Sequence, residues 1–270
     1  MVGKKLLSIK EFAEFSRTTR DTLLHYDRIG LLPPVSRGEN NYRYYSIEHL
    51  SMFNLIRTFQ TLGMSLHEIK RLQDNRTPDL MDAVLDNQIG KINDEIDKWV
   101  RARKLVHFFK SAIHSHVDIN EGEISIKPCP VEAIVLGELN DYSGNRNDYD
   151  ALSSFFCDIS KKYPDMDMNY PVWAMFSKDR ILSRDWKWPD RYYFANPDGH
   201  DKKPAETYAV GYTRGGYGQS HGLYTRMLDY IEAAGYEICG PAYEEYPLNE
   251  ICVKDAENYL MRVMITVQKK

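Results

Sequence analysis

The chain has 270 residues, of which 43% are hydrophobic, and a formal net charge of −4. This length suits two compact domains, or one domain with a long connecting element, with buried cores of ordinary size. No stretch of about 18 apolar residues occurs, and the amino-terminal segment lacks a signal sequence, so neither a membrane span nor secretion is expected. Four well-separated cysteines without a Cys-x-x-Cys pair favour reduced, mostly buried thiols in the cytoplasm over disulfides or a zinc site.

The charge is unevenly distributed along the chain. Residues 1–74 carry 11 Lys and Arg against 8 Asp and Glu, a net charge of +3, whereas residues 121–270 carry 17 against 24, a net charge of −7. A basic amino-terminal region and an acidic carboxy-terminal region indicate different partners, phosphate for the first and a cation for the second. A charge of +3 alone does not establish DNA binding.

Short helices separated by tight turns are predicted up to about Asp74. Ser8 is a candidate N-cap for the first helix, and the segment Ser16–Thr19 ends it and caps a second helix that runs to about Arg28. The polar segment from Arg37 to Asn41 and the aromatic run that follows it predict a small hairpin, the wing. A third helix is predicted to begin at Ser46 and a fourth at Ser65.

One long helix is predicted from Thr77-Pro78 to about His116. Its apolar residues follow heptad spacing with a single skip at Trp99–Ala102: Leu85, Ile89, Ile92, Ile96, Trp99, Ala102, Val106, Phe109 and Ile113. An amphipathic helix packed on its own domain is one interpretation. A coiled coil between two chains is favoured, because average helices are about a third as long.

Strands and helices alternate after a polar linker at Asp118–Gly122, which indicates an α+β tail. Strands are predicted at 133–136, 172–176, 207–212, 242–246 and 259–267, and helices at 149–162 and 220–234.

The second helix is the candidate recognition helix, because residues near the start of such a helix reach base edges in the major groove. Arginines and tyrosine hydroxyls nearby can contact phosphates. The candidate DNA-binding residues are Arg17, Thr19, Arg20, Thr22, His25, Tyr26, Arg28, Tyr42 and Arg43. Tyr26 is alternatively a core residue.

About 65 residues in one register resemble the DNA-binding domain of the MerR family. The matching landmarks are Thr22-Leu23, Tyr26-Asp27, Gly30-Leu31-Leu32-Pro33, Tyr42-Arg43-Tyr44-Tyr45, Leu62-Gly63 and Ser65-Leu66-His67-Glu68-Ile69. The family usually has Arg-Tyr-Tyr-Asp where this chain has Leu24-His25-Tyr26-Asp27. The resemblance therefore implies DNA binding with a different operator preference.

The resemblance also implies a mechanism and an organisation. Such proteins are homodimers joined by a long antiparallel helix, and they bind a pseudo-palindrome in a promoter whose elements are spaced too far apart. Effector binding lets the dimer bend and untwist the DNA so that RNA polymerase engages both elements. The implied organisation is multidomain: an all-α winged helix-turn-helix head at 1–76, a dimerisation coiled-coil helix at 77–118, and an α+β effector-binding tail at 119–270.

The tail resembles the GyrI-like effector-binding domain of the multidrug-sensing, BmrR-like branch of the family. The resemblance rests on Thr207–Val210, Gly215-Gly216-Tyr217, Tyr224–Ile231, Gly235–Ile238 and Gly240–Tyr246. It implies a pocket glutamate at Glu244, with Tyr246 on the same strand face and Glu245 on the other. No cysteine precedes Cys129, which disfavours metal sensing, and His107, His114 and His116 are expected on a solvated helix face. No metal or other cofactor is expected.

Lipophilic aromatic cations need aromatic faces and a carboxylate, each cation–π contact contributing roughly 0.5–2 kcal/mol. The predicted effector-binding residues are Trp173, Phe176, Trp186, Tyr193, Tyr208, Tyr212, Glu244 and Tyr246. About half of the tail's aromatic residues are expected to be core or surface residues instead. The segment Trp186–Pro189 is predicted to be a loop that either covers a pocket or caps the sheet.

Enzyme signatures are weak, so the chain is expected not to be an enzyme. Arg214–Gly218 lacks the Lys-Ser/Thr of a phosphate-binding loop, and no Gly-x-Ser-x-Gly motif occurs. The leading hypothesis is a ligand-responsive transcriptional regulator, an activator by mechanism, with duplex DNA, a small-molecule effector, RNA polymerase and a second copy as partners. A tail with weak hydrolase activity, or a tail that binds a protein partner, is the alternative.

Overall fold

The structure is a computed structural model that describes residues 6–39 and 41–270. Asn40, in the predicted hairpin turn, lies outside the described residues. Internal contacts divide the chain into two compact units, residues 1–98 and residues 99–270. The boundary falls inside the long helix rather than at one of its ends. Within the described ranges, no helix combines the length and the apolar character needed to cross a bilayer.

Four short helices form most of the first unit: α1 (Ile9–Phe15), α2 (Arg20–Arg28), α3 (Glu48–Thr61) and α4 (Leu66–Asp74). The predicted caps of α1, α2 and α4 are confirmed at Ser8, Thr19 and Ser65, whose hydroxyls accept backbone N–H groups of the first turn. Ser8 and Ser65 also form capping boxes with the glutamate three residues later. These side chains satisfy N–H groups that a helix start leaves unpaired.

The third helix begins two residues later than predicted. Ser46 is buried and its hydroxyl contacts His49 Nδ1 at 3.0 Å, and Ile47 precedes the helix without capping it through a side chain. Ser46 therefore lies in the two-residue connection between β3 and α3.

A three-stranded antiparallel sheet accompanies these helices, formed by β1 (Leu7–Ser8), β2 (Ser36–Arg37) and β3 (Arg43–Tyr45) in the order β1-β3-β2. The pairing of β2 with β3 agrees with the predicted hairpin, with Ser36 opposite Tyr44. The two-residue strand β1 was not predicted, because two residues carry no periodicity. The head is therefore not purely α-helical.

The core of the first unit joins the helices to this sheet. Phe12 of α1 stacks on Tyr45 of β3 with ring centroids 4.8 Å apart and meets Phe53 of α3 edge-on. Leu23 and Tyr26 of α2 are buried in the same cluster. Burying each such side chain contributes roughly 1.5–3 kcal/mol, which fixes α2 relative to the hairpin.

The long helix α5 spans Pro78–His116, 39 residues, in agreement with the predicted ends. The heptad residues are exposed along much of its length in the single chain: Leu85 39%, Ile89 56%, Ile92 42%, Ile96 53%, Trp99 64% and Val106 65%. An apolar row this exposed is unfavourable in water unless another surface covers it.

The second unit is built on an eight-stranded antiparallel sheet in the order β4-β9-β11-β10-β6-β7-β5-β8. The strands are β4 (Ile124–Cys129), β5 (Glu132–Leu136), β6 (Val172–Phe176), β7 (Arg191–Phe194), β8 (Asp201–Lys203), β9 (Glu206–Arg214), β10 (Tyr236–Leu248) and β11 (Leu260–Lys269). The helices are α6 (Asp148–Lys162), α7 (Lys178–Ser183) and α8 (His221–Ala233), with a short 3-10 helix at Ala256–Asn258. Every predicted strand and helix of the tail is present, whereas β4, β7, β8 and α7 were not predicted.

The two faces of this sheet are covered differently. The helix face, which carries Ala174, Tyr192 and Glu244, packs against α8, α7 and α6. The tyrosine face, which carries Tyr193, Tyr208, Tyr212, Tyr243 and Glu245, packs against Phe108 and Ile113 of α5. Side chains alternate between these faces along each strand, so one residue step changes the environment completely.

The four cysteines form no disulfide, but the prediction that they are mostly buried is wrong. Cys157 and Cys252 are exposed, and Cys129 and Cys239 are half-buried. Cys129 ends an edge strand and Cys157 lies on the outer side of α6, positions that the flanking sequence alone did not reveal.

Candidate functional site

The turn between α1 and α2 fixes how α2 is presented. Ser16 donates its hydroxyl hydrogen to the Phe12 carbonyl at 2.6 Å, and the Thr18 N–H donates to the Ala13 carbonyl at 2.9 Å. Arg17 has a φ of 52°, a left-handed conformation that is uncommon for an arginine. Backbone carbonyls of α1 accept both hydrogen bonds of the turn. The Arg17 side chain is exposed.

Most of the predicted DNA-binding residues lie at the surface. Six of them are exposed: Arg17, Thr19, Arg20, His25, Arg28 and Tyr42. Thr22 is half-buried, and its hydroxyl lies 2.8 Å from that of its capping neighbour Thr19. Tyr26 instead belongs to the core, where its hydroxyl donates to Gln60 Oε1 at 2.8 Å. The exposed set therefore excludes Tyr26.

The remaining predicted residue, Arg43, is part of an ion cluster on Asp27. Arg43 Nε donates to Asp27 at 2.6 Å, and Arg37 Nη2 contacts both Asp27 oxygens at 2.9 and 2.8 Å. Arg37 and Arg43 lie directly opposite each other in the hairpin, where two like charges are unfavourable without a shared counter-ion. The cluster ties the hairpin to α2. Sequence reasoning missed Arg37, although its place across the turn from Arg43 was a usable signal.

Glu244 lies on the helix face of β10 and is 4% exposed. Its Oε1 accepts the Tyr246 hydroxyl at 2.9 Å, and that hydroxyl accepts the Gly218 N–H at 3.1 Å. The second oxygen, Oε2, is buried without a hydrogen-bond partner among the described residues. Burial raises the pKa of Glu244, and the hydroxyls of Ser220, Tyr246 and Tyr224 counteract this rise, although of these three only the Tyr246 hydroxyl lies in hydrogen-bond geometry. A buried carboxylate oxygen without a partner is costly and therefore attracts a cation or a donor.

Tyr224, whose hydroxyl affects the pKa of Glu244, lies in a cluster of aromatic rings. Trp186 stacks on Tyr224 of α8 with ring centroids 5.1 Å apart and an interplanar angle of 11°, and Phe176 meets Tyr224 edge-on at 5.8 Å. The Trp186 Nε1 and the Tyr224 hydroxyl are also buried without hydrogen-bond partners in the described part of the chain. Burial and the nearby Glu244 charge raise the pKa of Tyr224 well above its usual value. Tyr224 therefore remains a neutral donor.

The structure divides the predicted effector-binding residues between the two faces of the sheet. Phe176, Trp186, Glu244 and Tyr246 lie together on the helix face. Trp173, Tyr193, Tyr208 and Tyr212 lie on the tyrosine face and are separated from Glu244 by the sheet itself. Sequence reasoning missed Tyr224, whose helical spacing with Leu223, Met227 and Ile231 is that of a core residue.

Glu245 occupies the tyrosine face and is already fully paired. Its carboxylate accepts Lys203 Nζ at 2.8 Å, Arg262 Nε at 2.7 Å and the Tyr193 hydroxyl at 2.7 Å. Burial opposes ionisation, but the charges of Arg262 and Lys203 prevail and lower the pKa of Glu245 to about 2. Lys203 also pairs with Glu132. Glu245 thus pairs with two cations of the chain, for which Glu132 is the second counter-ion, and it offers no free oxygen to a ligand.

The expectation that His107, His114 and His116 share a solvated face is wrong for His116. His107 and His114 are exposed, but His116 is buried, with Nδ1 2.8 Å from the Ala112 carbonyl and Nε2 3.4 Å from Arg262. Burial lowers its pKa. The tyrosine face covers the end of α5, which the helix periodicity alone could not indicate. Among residues 6–39 and 41–270, no group of three His, Cys, Asp or Glu side chains is arranged to hold a metal ion.

Comparison with known proteins agrees with this arrangement. Residues 7–76 match the family described as MerR HTH family regulatory protein. The chain is 30% identical over 271 residues to the multidrug-efflux transporter 2 regulator of Bacillus subtilis (strain 168), covering 98% of each protein. It is 27% identical over 129 residues to the mercuric resistance operon regulatory protein of Bacillus cereus, covering 46% of this chain and 92% of that protein.

Among solved structures, the EcmrR chain of the EcmrR–DNA complex in EcmrR-RPo is 19% identical, with a TM-score of 0.42 over 98% of this chain and 100% of that chain. The family match over residues 7–76 and the relative that is 30% identical over nearly the whole chain define a DNA-binding transcriptional regulator. The chain belongs to the MerR family of DNA-binding transcriptional regulators.

Proposed function

We propose that this regulator is an activator whose tail binds a lipophilic aromatic cation and whose head distorts promoter DNA in response. In this proposal residues 1–76 form a winged helix-turn-helix, residues 77–118 a dimerisation helix, and residues 119–270 a GyrI-like effector-binding domain. Its partners are duplex DNA, the effector, a second copy of the chain and RNA polymerase.

The exposed residues of α2 support its role as the recognition helix. Arg20 and Thr22 lie in its first turn, where side chains reach base edges in the major groove. Arg17, Arg28 and Tyr42 would contact phosphates, and Arg43 would present a guanidinium that Asp27 holds in place. His25 is exposed and would face the DNA where the family usually has a tyrosine.

The exposed heptad row of α5 supports dimerisation through this helix. Ile89, Ile92, Ile96 and Trp99 are all more than two-fifths exposed in the single chain. An antiparallel partner helix would cover this row through knobs-into-holes packing. A dimer places two recognition helices on the two halves of a pseudo-palindrome.

Glu244 is the observation on which the effector proposal depends. Its unpartnered Oε2 and the rings of Trp186, Phe176 and Tyr246 combine a negative charge with aromatic faces. A cation held there would satisfy the oxygen and gain cation–π contacts. A neutral ligand of the same shape would leave the carboxylate uncompensated. The response at the DNA would use deformation of an overlong spacer rather than new base contacts.

The test compares two dyes that share one ring system. Ethidium carries one positive charge, whereas its diaminophenylphenanthridine parent is uncharged at alkaline pH. Fluorescence titration of the full chain without DNA gives both affinities for wild type, E244Q and E237Q. We expect E244Q to weaken ethidium binding about tenfold or more, with the uncharged parent changed far less. Equal losses for both dyes, or a wild-type chain that binds neither, would contradict the proposal. E237Q controls for removing a glutamate charge from an exposed position on the same strand.

A further inference from the structure

Glu244, Ala174 and Tyr192 form a row across three neighbouring strands. Glu244 of β10 is paired with Ala174 of β6, and Ala174 is paired with Tyr192 of β7. The three residues therefore lie side by side on the helix face. Ala174 is only half-buried although strands flank it on both sides, because its methyl group fills little of the space between its neighbours. The row is lowest at Ala174, whose methyl group lies between two longer side chains, and this strip of the helix face is called the groove.

A second carboxylate, Asp148, stands at the Tyr192 end of this groove. Asp148 is the first residue of α6, its Oδ1 accepts the Tyr192 hydroxyl, and the Tyr142 hydroxyl oxygen lies 3.4 Å from the same oxygen. Both hydroxyls meet the same oxygen. Asp148 is only half-buried, in contrast to Glu244. The negative charge of Asp148 is close enough to Glu244 to contribute to raising the pKa of Glu244.

The loop Trp186–Pro189 runs from one end of this groove to the other. Trp186 stacks on Tyr224 beside Glu244, whereas Trp188 stacks on Tyr142 beside Asp148 with ring centroids 5.5 Å apart. The Tyr142 hydroxyl also donates to the Pro189 carbonyl at 2.9 Å. Each carboxylate is therefore accompanied by one tryptophan of the same loop.

The aromatic pair of Trp188 and Tyr142, beside Asp148, already has an ammonium group next to it. Lys187 Nζ lies 5.0 Å from the centre of the Trp188 ring, within the range of a cation–π contact. The guanidinium of Arg180, whose charge also reaches Tyr142, is paired with Asp185 and Asp190 and does not neutralise Asp148. Within the described part of the chain, the Asp148 end of the groove thus has a free negative charge and an aromatic face suited to a second cation.

We propose that Asp148, with Tyr142 and Trp188, forms an outer cation subsite that makes this pocket prefer effectors with two positive groups. Glu244 would hold the inner group and Asp148 the outer one, which would displace Lys187 from the Trp188 ring. The strands that carry Glu244 and Tyr192 are two positions apart, so the backbones at the two ends of the groove are roughly 10 Å apart. This inference rests on the proposed effector site at Glu244.

Ethidium and propidium test the subsite, because propidium carries a second, quaternary ammonium on a flexible chain attached to the same ring system. Fluorescence titration of the full chain without DNA, at about 0.15 M salt to screen distant charges, gives the ratio of the two affinities. We expect wild type to bind propidium about fivefold more tightly than ethidium, the effect of one partly exposed ion pair. In D148N this ratio should fall to about one, with ethidium affinity within about twofold of wild type.

The variants distinguish a failure of the outer subsite at Asp148 from a failure of the effector site at Glu244. The D148N side chain retains an acceptor for the Tyr192 hydroxyl, and equal thermal unfolding midpoints would verify the fold. D158N removes the same charge from an exposed position on the same helix and should keep the wild-type preference. A preference that survives in D148N, or that D158N removes equally, would overturn the subsite. Equal affinity of wild type for both dyes would overturn the subsite alone, whereas binding of neither dye would overturn the proposed function as well.

Discussion

Glu244 and Glu245 are neighbours in the chain, yet their carboxylates lie on opposite faces of β10 in opposite electrostatic environments. Glu244 has one oxygen without a described hydrogen-bond partner and a raised pKa, whereas Glu245 is paired with two cations and a tyrosine and has a pKa of about 2. The alternation of side chains along a strand is sufficient to produce this contrast. One glutamate is therefore suited to a ligand and the other to stability.

Replacing Glu245 should destabilise the second unit strongly. E245Q removes the charge that compensates Lys203 and Arg262, of which Lys203 is fully buried. Breaking a buried ion pair from one side costs about 3–5 kcal/mol, because the other charge remains buried. Urea unfolding at neutral pH should show this loss for E245Q, and K203M/E245Q should recover part of it. A loss below about 1 kcal/mol in E245Q would be inconsistent with a buried cluster.

Glu244 should make stability fall as the pH rises. Its folded-state pKa is raised above the usual 4.5, so its contribution to stability is fully present below about 4.5 and is lost as the pH rises through the folded-state value. E244Q cannot ionise and should lack this component. Unfolding free energies measured between pH 4.5 and pH 8 should therefore decline more in wild type than in E244Q. An equal decline of the unfolding free energy in wild type and E244Q would show that Glu244 ionises in the folded chain without loss of stability.

Glu245 should affect the pH dependence of stability in the opposite direction, because its stabilising contribution is lost in acid. Its folded-state pKa is lowered from 4.5 to about 2, so its stabilising contribution is present above 4.5 and is lost as the pH falls toward about 2. Wild type should lose stability over this range, and E245Q should lose less, because Gln does not titrate. Identical acid profiles for the two chains would exclude Glu245 as a source of acid sensitivity.

Removing Arg20 should weaken DNA binding and its dependence on salt. R20A lacks one exposed cation in the first turn of α2. For a duplex selected from a random pool by the wild-type chain, fluorescence anisotropy should show about tenfold weaker binding, and a phosphate contact would lower the salt slope by about 1. K269A, which removes an exposed cation at the end of β11, should behave as wild type. Equal effects of the two variants would exclude a specific role for α2.

A charge in the heptad row of α5 should dissociate the proposed dimer. I96K places an ammonium in a row that a partner helix would bury, so sedimentation should show a monomer at concentrations where wild type is dimeric. D94K, an exposed position outside the apolar row, should remain dimeric. If I96K and wild type sediment alike, α5 does not dimerise through this row.

The local structure was largely predictable, because short-range physics determines it. The caps at Ser8, Thr19 and Ser65 follow from the hydrogen-bonding needs of helix starts, and the ends of α5 follow from Pro78 and the heptad spacing. The opposite orientations of Glu244 and Glu245 follow from strand alternation. Strand β7, four residues long, and helix α7, six residues long, are too short to show a period.

The composition of the candidate site was less predictable, because it depends on strand order. The eight predicted effector-binding residues could be assigned to the tail, but β6, β7, β9 and β10 are brought together only in the folded sheet. Trp173 and Phe176 are three residues apart on β6 and consequently face opposite sides. Asp148 and Tyr192 meet only because α6 packs on β7.

Transcription in vitro tests the central claim most directly, that a cation at Glu244 controls the output of the regulator. Single-round transcripts would be measured from a promoter that binds the chain, with tetraphenylphosphonium as a cation that does not intercalate into DNA. We predict that the cation increases the transcript with wild type and not with E244Q, while both chains bind the promoter equally. An equal increase with E244Q, or no response of wild type to the cation while it occupies the tail, would contradict the account.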